Sequence, residues 1–258
     1  MHGTNLYTIM LQHLINGGSC QQGRRSSSDP RKTFTMEGTM PSLPIGPIAS
    51  APECRPPSKR SHVGRSVKLM PMTKSHAQEL WRAAQKADES WTYLGYGPFG
   101  SYEDFEAHVA RLEGLLDQPF FAVLPSNGNV SGWISFCDID TDNAALEIGS
   151  IWFSPEMQRT RPATEAIYLL IDHAFSIGFN RVAWRCNALN MPSRNAALRL
   201  GFSFEGIWRQ AQIIKGRWRD TAWYAQFAEE WPANKLLIER WLADDNFDAN
   251  GRQYTSLR

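Results

Sequence analysis

From Val67 onward the apolar positions follow two rhythms, one of period two and one of helical period. Val67-Lys68-Leu69-Met70-Pro71-Met72 alternates and predicts a first strand. His76 to Asp88 places Leu80, Trp81 and Ala84 on one helical face. A second helix is expected from Ser101 through Tyr102, Phe105, His108, Val109 and Leu112, with Ser101 as N-cap and Glu103 and Asp104 in the first turn. Pro119 to Leu124 reads as a strand, residues 125–129 as a hairpin turn, Val130 to Cys137 as the returning strand and Ala145 to Phe153 as another. The first half is therefore strand, two helices and an antiparallel meander.

The second half changes character. Ala163 to Ile177 predicts a long helix, with Ile167, Leu170, Ile171, Ala174 and Phe175 in register. Arg181 to Cys186 is a strand, and Ser193 to Leu200 a short helix closed by Gly201. Phe202 to Ile214 and Asp220 to Ala228 are the last strands, with residues 215–218 as their turn. A final helix, Pro232 to Leu242, is expected outside the core. The predicted organisation is a leader over 1–66, a catalytic-type domain over 67–228 and a C-terminal helix and tail over 229–258.

The leader differs in kind. Residues 17–32 are rich in Gly, Ser, Gln and Arg without apolar periodicity, and no acid precedes Asp29. That composition suits a disordered tail, or an N-terminus extended beyond a later start at Met36 or Met40; it is also that of a mitochondrial transit peptide. Prolines at 41, 44, 47, 52, 56 and 57 predict an extended arm up to residue 66.

Composition narrows the function classes. Of 258 residues, 42% are hydrophobic and 12% aromatic, enough for a real core. The net charge of +1 supplies no global field for nucleic acid or a membrane surface, although residues 1–67 carry eight Lys/Arg against three Asp/Glu. The four cysteines, Cys20, Cys54, Cys137 and Cys186, form no CxxC pair, so no zinc site and a reducing compartment, the cytoplasm, are expected. No apolar run reaches the roughly 20 residues that span a bilayer.

Two segments carry chemistry. In the first, Glu147 to Pro155 leads through the loop Gln158-Arg159-Thr160-Arg161-Pro162 into the helix at Ala163-Thr164. A helix start offers unpaired N–H groups and a positive dipole end to a phosphate, and two arginines add charge. Taken alone, this reads first as an ordinary crossover with solvated arginines. The second is Asn187-Ala188-Leu189-Asn190-Met191-Pro192-Ser193, followed by Leu200-Gly201-Phe202. Jointly and in this order they resemble the GNAT superfamily of N-acetyltransferases. The first resembles its acyl-CoA motif, written [QR]xxGx[GA]; the second resembles the N-x-x-S…LGF signature of the RimJ/RimL-like branch. Leu146-Glu147-Ile148-Gly149, Ala163-Thr164-Glu165-Ala166 and the Gly216…Asp220…Tyr224 pattern extend the resemblance over about 67–227. Two positions depart from the pattern. Arg161 replaces the motif glycine, exchanging backbone freedom for a cation, so that either the side chain helps to hold the cofactor or its binding is weakened. Ala197 stands where many members carry a tyrosine general acid.

The resemblance implies an α+β fold, a mixed and mostly antiparallel sheet flanked by helices. It implies two strands splayed at 151–154 and 184–187, with acetyl-CoA as cosubstrate in the opening. The expected cofactor-binding residues are Ile151, Trp152, Phe153, Gln158, Arg159, Thr160, Arg161, Pro162, Ala163, Thr164, Asn190 and Ser193. Glu147 is the expected base, since direct transfer needs a neutral amine. Ser193 is the expected donor to the departing thiolate, alongside the plainer reading of a helix N-cap. Backbone N–H groups near Phe153 and Ser154 are expected to hold the thioester oxygen. Trp91, Tyr93 and Tyr96 are expected to wall the acceptor site.

Other polar groups have blander readings. Asp138, Asp140 and Asp142 read as a solvated hairpin end rather than a Ca²⁺ site. Arg209, Arg217 and Arg219 read as a solvated edge rather than a grip on an acidic substrate. The acceptor implied is a primary amine, on a small molecule or a protein N-terminus, with no metal, nucleic acid or membrane partner, in a monomer or homodimer. The competing reading is a non-catalytic acyl-CoA-binding regulatory module on the same scaffold.

Overall fold

The structure is a computed structural model that describes residues 46–48 and 53–258. The leader expectations for 1–39, including the transit peptide, lie outside the described residues. From residue 53 the chain builds an eight-stranded sheet. In chain order the strands are β1 His62–Val63, β2 Val67–Pro71, β3 Phe120–Pro125, β4 Gly132–Asp140, β5 Ala145–Phe153, β6 Arg181–Asn187, β7 Ser203–Ile214 and β8 Arg217–Phe227. The helices are α1 Ala77–Ala84, α2 Tyr102–Gly114, α3 Arg161–Ser176, α4 Met191–Arg199 and α5 Trp231–Trp241. The sheet order is β1-β2-β3-β4-β5-β6-β8-β7, and only the β5–β6 pair is parallel. The mixed, mostly antiparallel α+β architecture is the one expected.

Alternation along the strands sends side chains to two cores. Phe121, Val123, Ile134, Phe136, Leu146 and Ile148 meet α3 on one face. Phe120, Ala122 and Trp133 meet α1 and α2 on the other. Trp91, Trp133 and Trp152 are fully buried there, Trp91 stacked on Trp152 with centroids 4.5 Å apart. A buried aromatic of this size contributes about 4–6 kcal/mol through area alone. Both Trp91 and Trp152 are thus accounted for by packing.

Ser150 breaks the alternation of β5. Its φ of +49° marks a bulge, where the β4–β5 register shifts between Trp133 and Ser135. Before it, Glu147 and Gly149 face opposite to Ile148; after it, Trp152 joins the core of α1 and α2 while Ile151 and Phe153 pack against the other.

The element boundaries differ from expectation in places. α1 ends at Ala84 rather than Asp88, because Gln85 turns extended and Lys86 adopts φ +61°. Residues 88–91 then form a 3₁₀ turn that delivers Trp91 to the core. The β7–β8 turn has only two residues, Lys215 and Gly216, both at positive φ, which matches the twist of a tight hairpin. The arm before Ser66 is docked rather than free of structure. Arg55 N–H donates to Ile177 O at 3.1 Å, Pro57 is buried, and β1 pairs with β2. Nor does α5 lie outside the core: Trp231, Ile238 and Trp241 join the α3-side cluster.

Candidate active site

The parallel pair β5–β6 is joined only at Ala145↔Arg181, Leu146↔Val182 and Glu147↔Ala183. Beyond Glu147 the two strands part. β6 continues to Asn187 hydrogen-bonded to β8 alone, so residues 184–187 present a free edge. Ser154 N–H donates to Ser131 O at 2.8 Å. Alternation in an antiparallel pair therefore turns the Phe153 N–H away from β4, toward the opening. Of the two N–H groups expected to hold an acyl oxygen, Phe153's is available and Ser154's is occupied.

A cleft of ≈ 250 Å³ fills the opening. Its walls include the expected Glu147, Ile151, Asn190, Ser193, Tyr93 and Tyr96. The structure also brings Arg185, Arg219, Gln212 and Asn187 to it. Trp91 and Trp152 are not on its walls; they lie in the core behind it. Tyr93 Oη donates to Leu189 O at 3.2 Å, and Tyr96 Oη accepts from Trp133 Nε1 at 3.2 Å. Burial raises the Tyr96 phenol to about 12, so it stays neutral.

The loop into α3 is built from short polar links. Thr160 is the N-cap, its hydroxyl accepting from Ala163 N–H at 3.3 Å. Thr164 N–H bonds Thr160 O, and Thr164 Oγ1 accepts from Arg199 Nη2 at 2.7 Å. Gln158 donates from Nε2 to Phe153 O at 3.0 Å. Arg159 is exposed at φ +62°, the left-handed region that costs a non-glycine residue ~1 kcal/mol or more. Pro162 has no N–H. Among the described residues the N–H groups of Arg159, Thr160 and Arg161 have no protein acceptor, which is the donor set a pyrophosphate requires. Ala163 and Thr164 are buried and hydrogen-bonded within the protein, so they hold the loop and offer no free donor.

Arg161 does not send its cation into the opening. Its guanidinium donates to Leu242 O and Asp244 Oδ1 and lies over the Phe247 ring, 4.7 Å from the centroid. The expected side-chain help for the cofactor is therefore absent at Arg161 and remains open to Arg159 alone.

At the second segment, the helix cap is Asn190, not Ser193. Asn190 Oδ1 accepts from Ser193 N–H at 3.1 Å, and α4 begins at Met191. Ser193 sits in the first turn, its Oγ accepting from Trp184 Nε1 at 3.1 Å. That bond uses an oxygen lone pair and leaves the hydroxyl proton for another acceptor. Ala197 is fully buried and offers no acid.

Glu147 is 5% exposed, a carboxyl taken almost wholly out of water. Burial raises its pKa to about 8; Arg185 and Arg219 pull it down and Asp138 pushes it up. Arg185 Nε lies 2.6 Å from Glu147 Oε2, yet Oε2 has no aligned hydrogen-bond donor, so the contact is one of charge. Gly149 makes room for this carboxyl, since a Cβ there would come within 2.6 Å of Glu147 Oε1. Arg185 also holds Asp138 Oδ2 at 2.6 Å, and Asp140 accepts from Asn143 N–H, so these acids are spent on internal contacts. Arg185 was not singled out from the sequence. The available signal was a charge at an alternate position of a buried strand, two residues beyond Ala183, the parallel partner of Glu147.

Comparison with known proteins agrees with this geometry. The acetyltransferase (GNAT) domain family matches residues 66–203. The chain is similar to a GCN5-related N-acetyltransferase from Brucella melitensis, at 38% identity and a TM-score of 0.77 over 80% of this chain and 96% of that one. It is 33% identical over 175 residues to YdaF of Bacillus subtilis (strain 168), which carries ribosomal N-acetyltransferase in its name, covering 65% of this chain and 92% of that protein. It is 26% identical over 173 residues to the ribosomal-protein-serine acetyltransferase of Escherichia coli (strain K12), covering 65% and 96%. The chain belongs to the GNAT acetyltransferase family, with relatives of the RimJ/RimL-like branch.

Proposed function

We propose that this protein moves an acetyl group from acetyl-CoA directly to a primary amine, with a protein N-terminus as the favoured acceptor. One observation carries the reading. A single opening between β5 and β6 has a buried carboxyl, Glu147, on one wall and a hydroxyl, Ser193, on the other. The Phe153 N–H turns away from β4, and among the described residues three N–H groups at the start of α3 have no protein acceptor.

Acetyl-CoA supplies an activated thioester whose acyl carbon an amine can attack. The residues of the chain do the rest. Arg159, Thr160 and Arg161 give backbone donors to the pyrophosphate. The Phe153 N–H stabilises the carbonyl oxygen as charge develops on it. Glu147 takes the amine proton, directly or through one water; a pKa of about 8 places this base near the operating pH. Ser193 donates its hydroxyl proton toward the sulfur. Tyr93 and Tyr96 border the acceptor side.

Protein termini are favoured because two relatives are named for ribosomal proteins and because the cleft opens beside the long β7–β8 hairpin. Among the described residues no helix is long and apolar enough to cross a membrane. Cys54, Cys137 and Cys186 are free thiols, which supports a reducing compartment such as the cytoplasm as the place of action. The test is release of free CoA from acetyl-CoA with a panel of peptides and small amines. Turnover on N-terminal amines supports the reading. Acetyl-CoA binding without turnover on any amine would instead make the protein a CoA-binding module.

A further inference from the structure

Arg219 is the one guanidinium on the cleft wall that has no ion pair among the described residues. Its neighbour Arg185 is spent on Asp138 and Glu147. Arg219 sits on β8 opposite Gln212 of β7. It shares its sheet face with Thr221 and Trp223, which lie opposite Asn187 and Arg185 of β6. This is the face of Glu147, where an acceptor amine must arrive. Arg219 Nε is buried with no hydrogen-bond partner among the described residues. Two further groups of that face, Thr221 Oγ1 and Trp223 Nε1, are buried donors with no partner among the described residues. Burial and the adjacent Arg185 both push the Arg219 pKa down, so the site disfavours the charge it contains. A half-buried guanidinium whose inner N–H is idle carries a cost that an arriving anion removes.

We infer that the acceptor carries an anionic group close to its amine, and that Arg219 is the residue that recognises it. This rests on the amine-acetyltransferase reading and names its substrate class. The amine lies against Glu147, and the anion sits toward β8 within reach of Arg219 and the unpaired donors of Thr221 and Trp223. The anion is the carboxylate of an Asp or Glu near a peptide N-terminus, or a phosphate on the same scaffold. Both have the same acceptor chemistry. A charge-assisted contact of this kind is worth roughly tenfold or more in kcat/KM.

The experiment measures CoA release by the full-length protein with matched peptides. They begin Ser-Asp, Ser-Asn and Ser-phosphoserine and are otherwise identical. The expected result is a preference of roughly tenfold or more for an anionic second residue; the Asp and phosphoserine arms show which anion is used. In Arg219→Gln the ratio of kcat/KM for Ser-Asp to that for Ser-Asn falls to about one, read at pH 9.5 where Glu147 is ionised with or without Arg219 beside it, and Arg219→Lys restores part of the ratio. Equal rates of the wild-type protein on Ser-Asp and Ser-Asn overturn the inference and leave the acetyltransferase reading intact. An undiminished Ser-Asp to Ser-Asn ratio in Arg219→Gln also overturns it, whatever the loss common to all three peptides, since the anion is then recognised elsewhere. If no peptide is turned over, succinate and inorganic phosphate are titrated in thermal denaturation with acetyl-CoA present. Stabilisation of wild type but not of Arg219→Gln upholds the anion site, and no stabilisation of wild type overturns it. Absence of both turnover and acetyl-CoA binding would instead remove the reading on which the inference stands.

Discussion

Arg161 Nη2 lies 2.5 Å from Asp244 Oδ1, so the first residue of α3 is fastened to the segment that follows α5. The same guanidinium donates to Leu242 O and covers the Phe247 ring. A family motif that usually has glycine here gains backbone freedom; this chain gains a clamp. The helix start that offers N–H groups to a pyrophosphate is therefore positioned from 81 and 83 residues downstream.

The clamp predicts a binding defect rather than a chemical one. Asp244→Ala should raise KM for acetyl-CoA roughly twofold to fivefold, the range of a partly exposed ion pair, with kcat little changed. Arg161→Ala, which also loses the Leu242 bond and the Phe247 contact, should raise it further. Steady-state kinetics with acetyl-CoA varied at fixed amine is the measurement. A fall in kcat at constant KM would mean that the clamp does not set the loop.

Glu147 should leave two signatures on pH. As the base it works ionised, so kcat/KM should rise with pH through about 8, and Glu147→Gln should lower turnover and remove that limb while acetyl-CoA affinity holds. A limb that persists in the variant belongs to the amine, whose α-amino group titrates at about 7.7–8.0. The second signature is stability. The folded pKa lies above the ordinary carboxylate value, so the native state binds the proton more tightly. Its contribution is complete below the unfolded pKa of 4.5 and is lost as pH rises through about 8. Thermal denaturation at pH 6 and pH 9 should show wild type losing more than Glu147→Gln.

The succession of strands and helices along the chain was legible because most strands alternate and most helices have one apolar face, while the mixed, mostly antiparallel sheet was implied by the family resemblance. What periodicity could not show is the bulge at Ser150, a non-glycine residue at φ +49° in a β-rich run. One inserted residue reverses which side chains meet which core, and so Trp152 was expected in the cleft but lies behind it. Trp91 was misplaced for a related reason: a loop tryptophan gives no sign of being stacked on another 61 positions away. The run from Gln158 to Thr164 was legible as a junction between strand and helix, but which of its donors stay free depends on local bonds that spacing does not reveal. The docked arm before Ser66 was hidden by its prolines, which argue against helix and strand but not against packing.

Asn190 has a double duty that a substitution can separate. Its Oδ1 caps α4 through Ser193 N–H, and its side chain lines the cleft. Asn190→Ala should cost about 1 kcal/mol of stability through the lost cap and weaken CoA binding. Asn190→Ser keeps a capping oxygen and should restore most of the stability. If affinity returns with it, Asn190 acts by holding Ser193; if affinity stays low, Asn190 meets the cofactor itself. Isothermal titration with CoA beside thermal denaturation of the three proteins reads both quantities.

The docked arm carries its own pH dependence, away from the cleft. His62 of β1 packs 4.7 Å from the His173 ring and 5.3 Å from Phe121, and Arg60 Nη2 reaches His173 Nδ1 at 3.1 Å. Burial, followed by His173 and Arg60, lowers the His62 pKa to about 4, and burial lowers that of His173 as well. A folded pKa below the unfolded one means that the native state resists protonation. The stability is present above about 6.5 and is lost as pH falls toward 4. For His62 alone the loss by pH 5 is on the order of 1–2 kcal/mol. His62→Gln should therefore lose less than wild type between pH 7 and pH 5 in thermal denaturation, even if it starts lower at pH 7. Limited proteolysis should show wild type opening first near residues 53–66 at pH 5, because protonating either histidine sets positive charges against each other where this arm meets α3. Equal acid losses in the two proteins would place the sensitive group elsewhere.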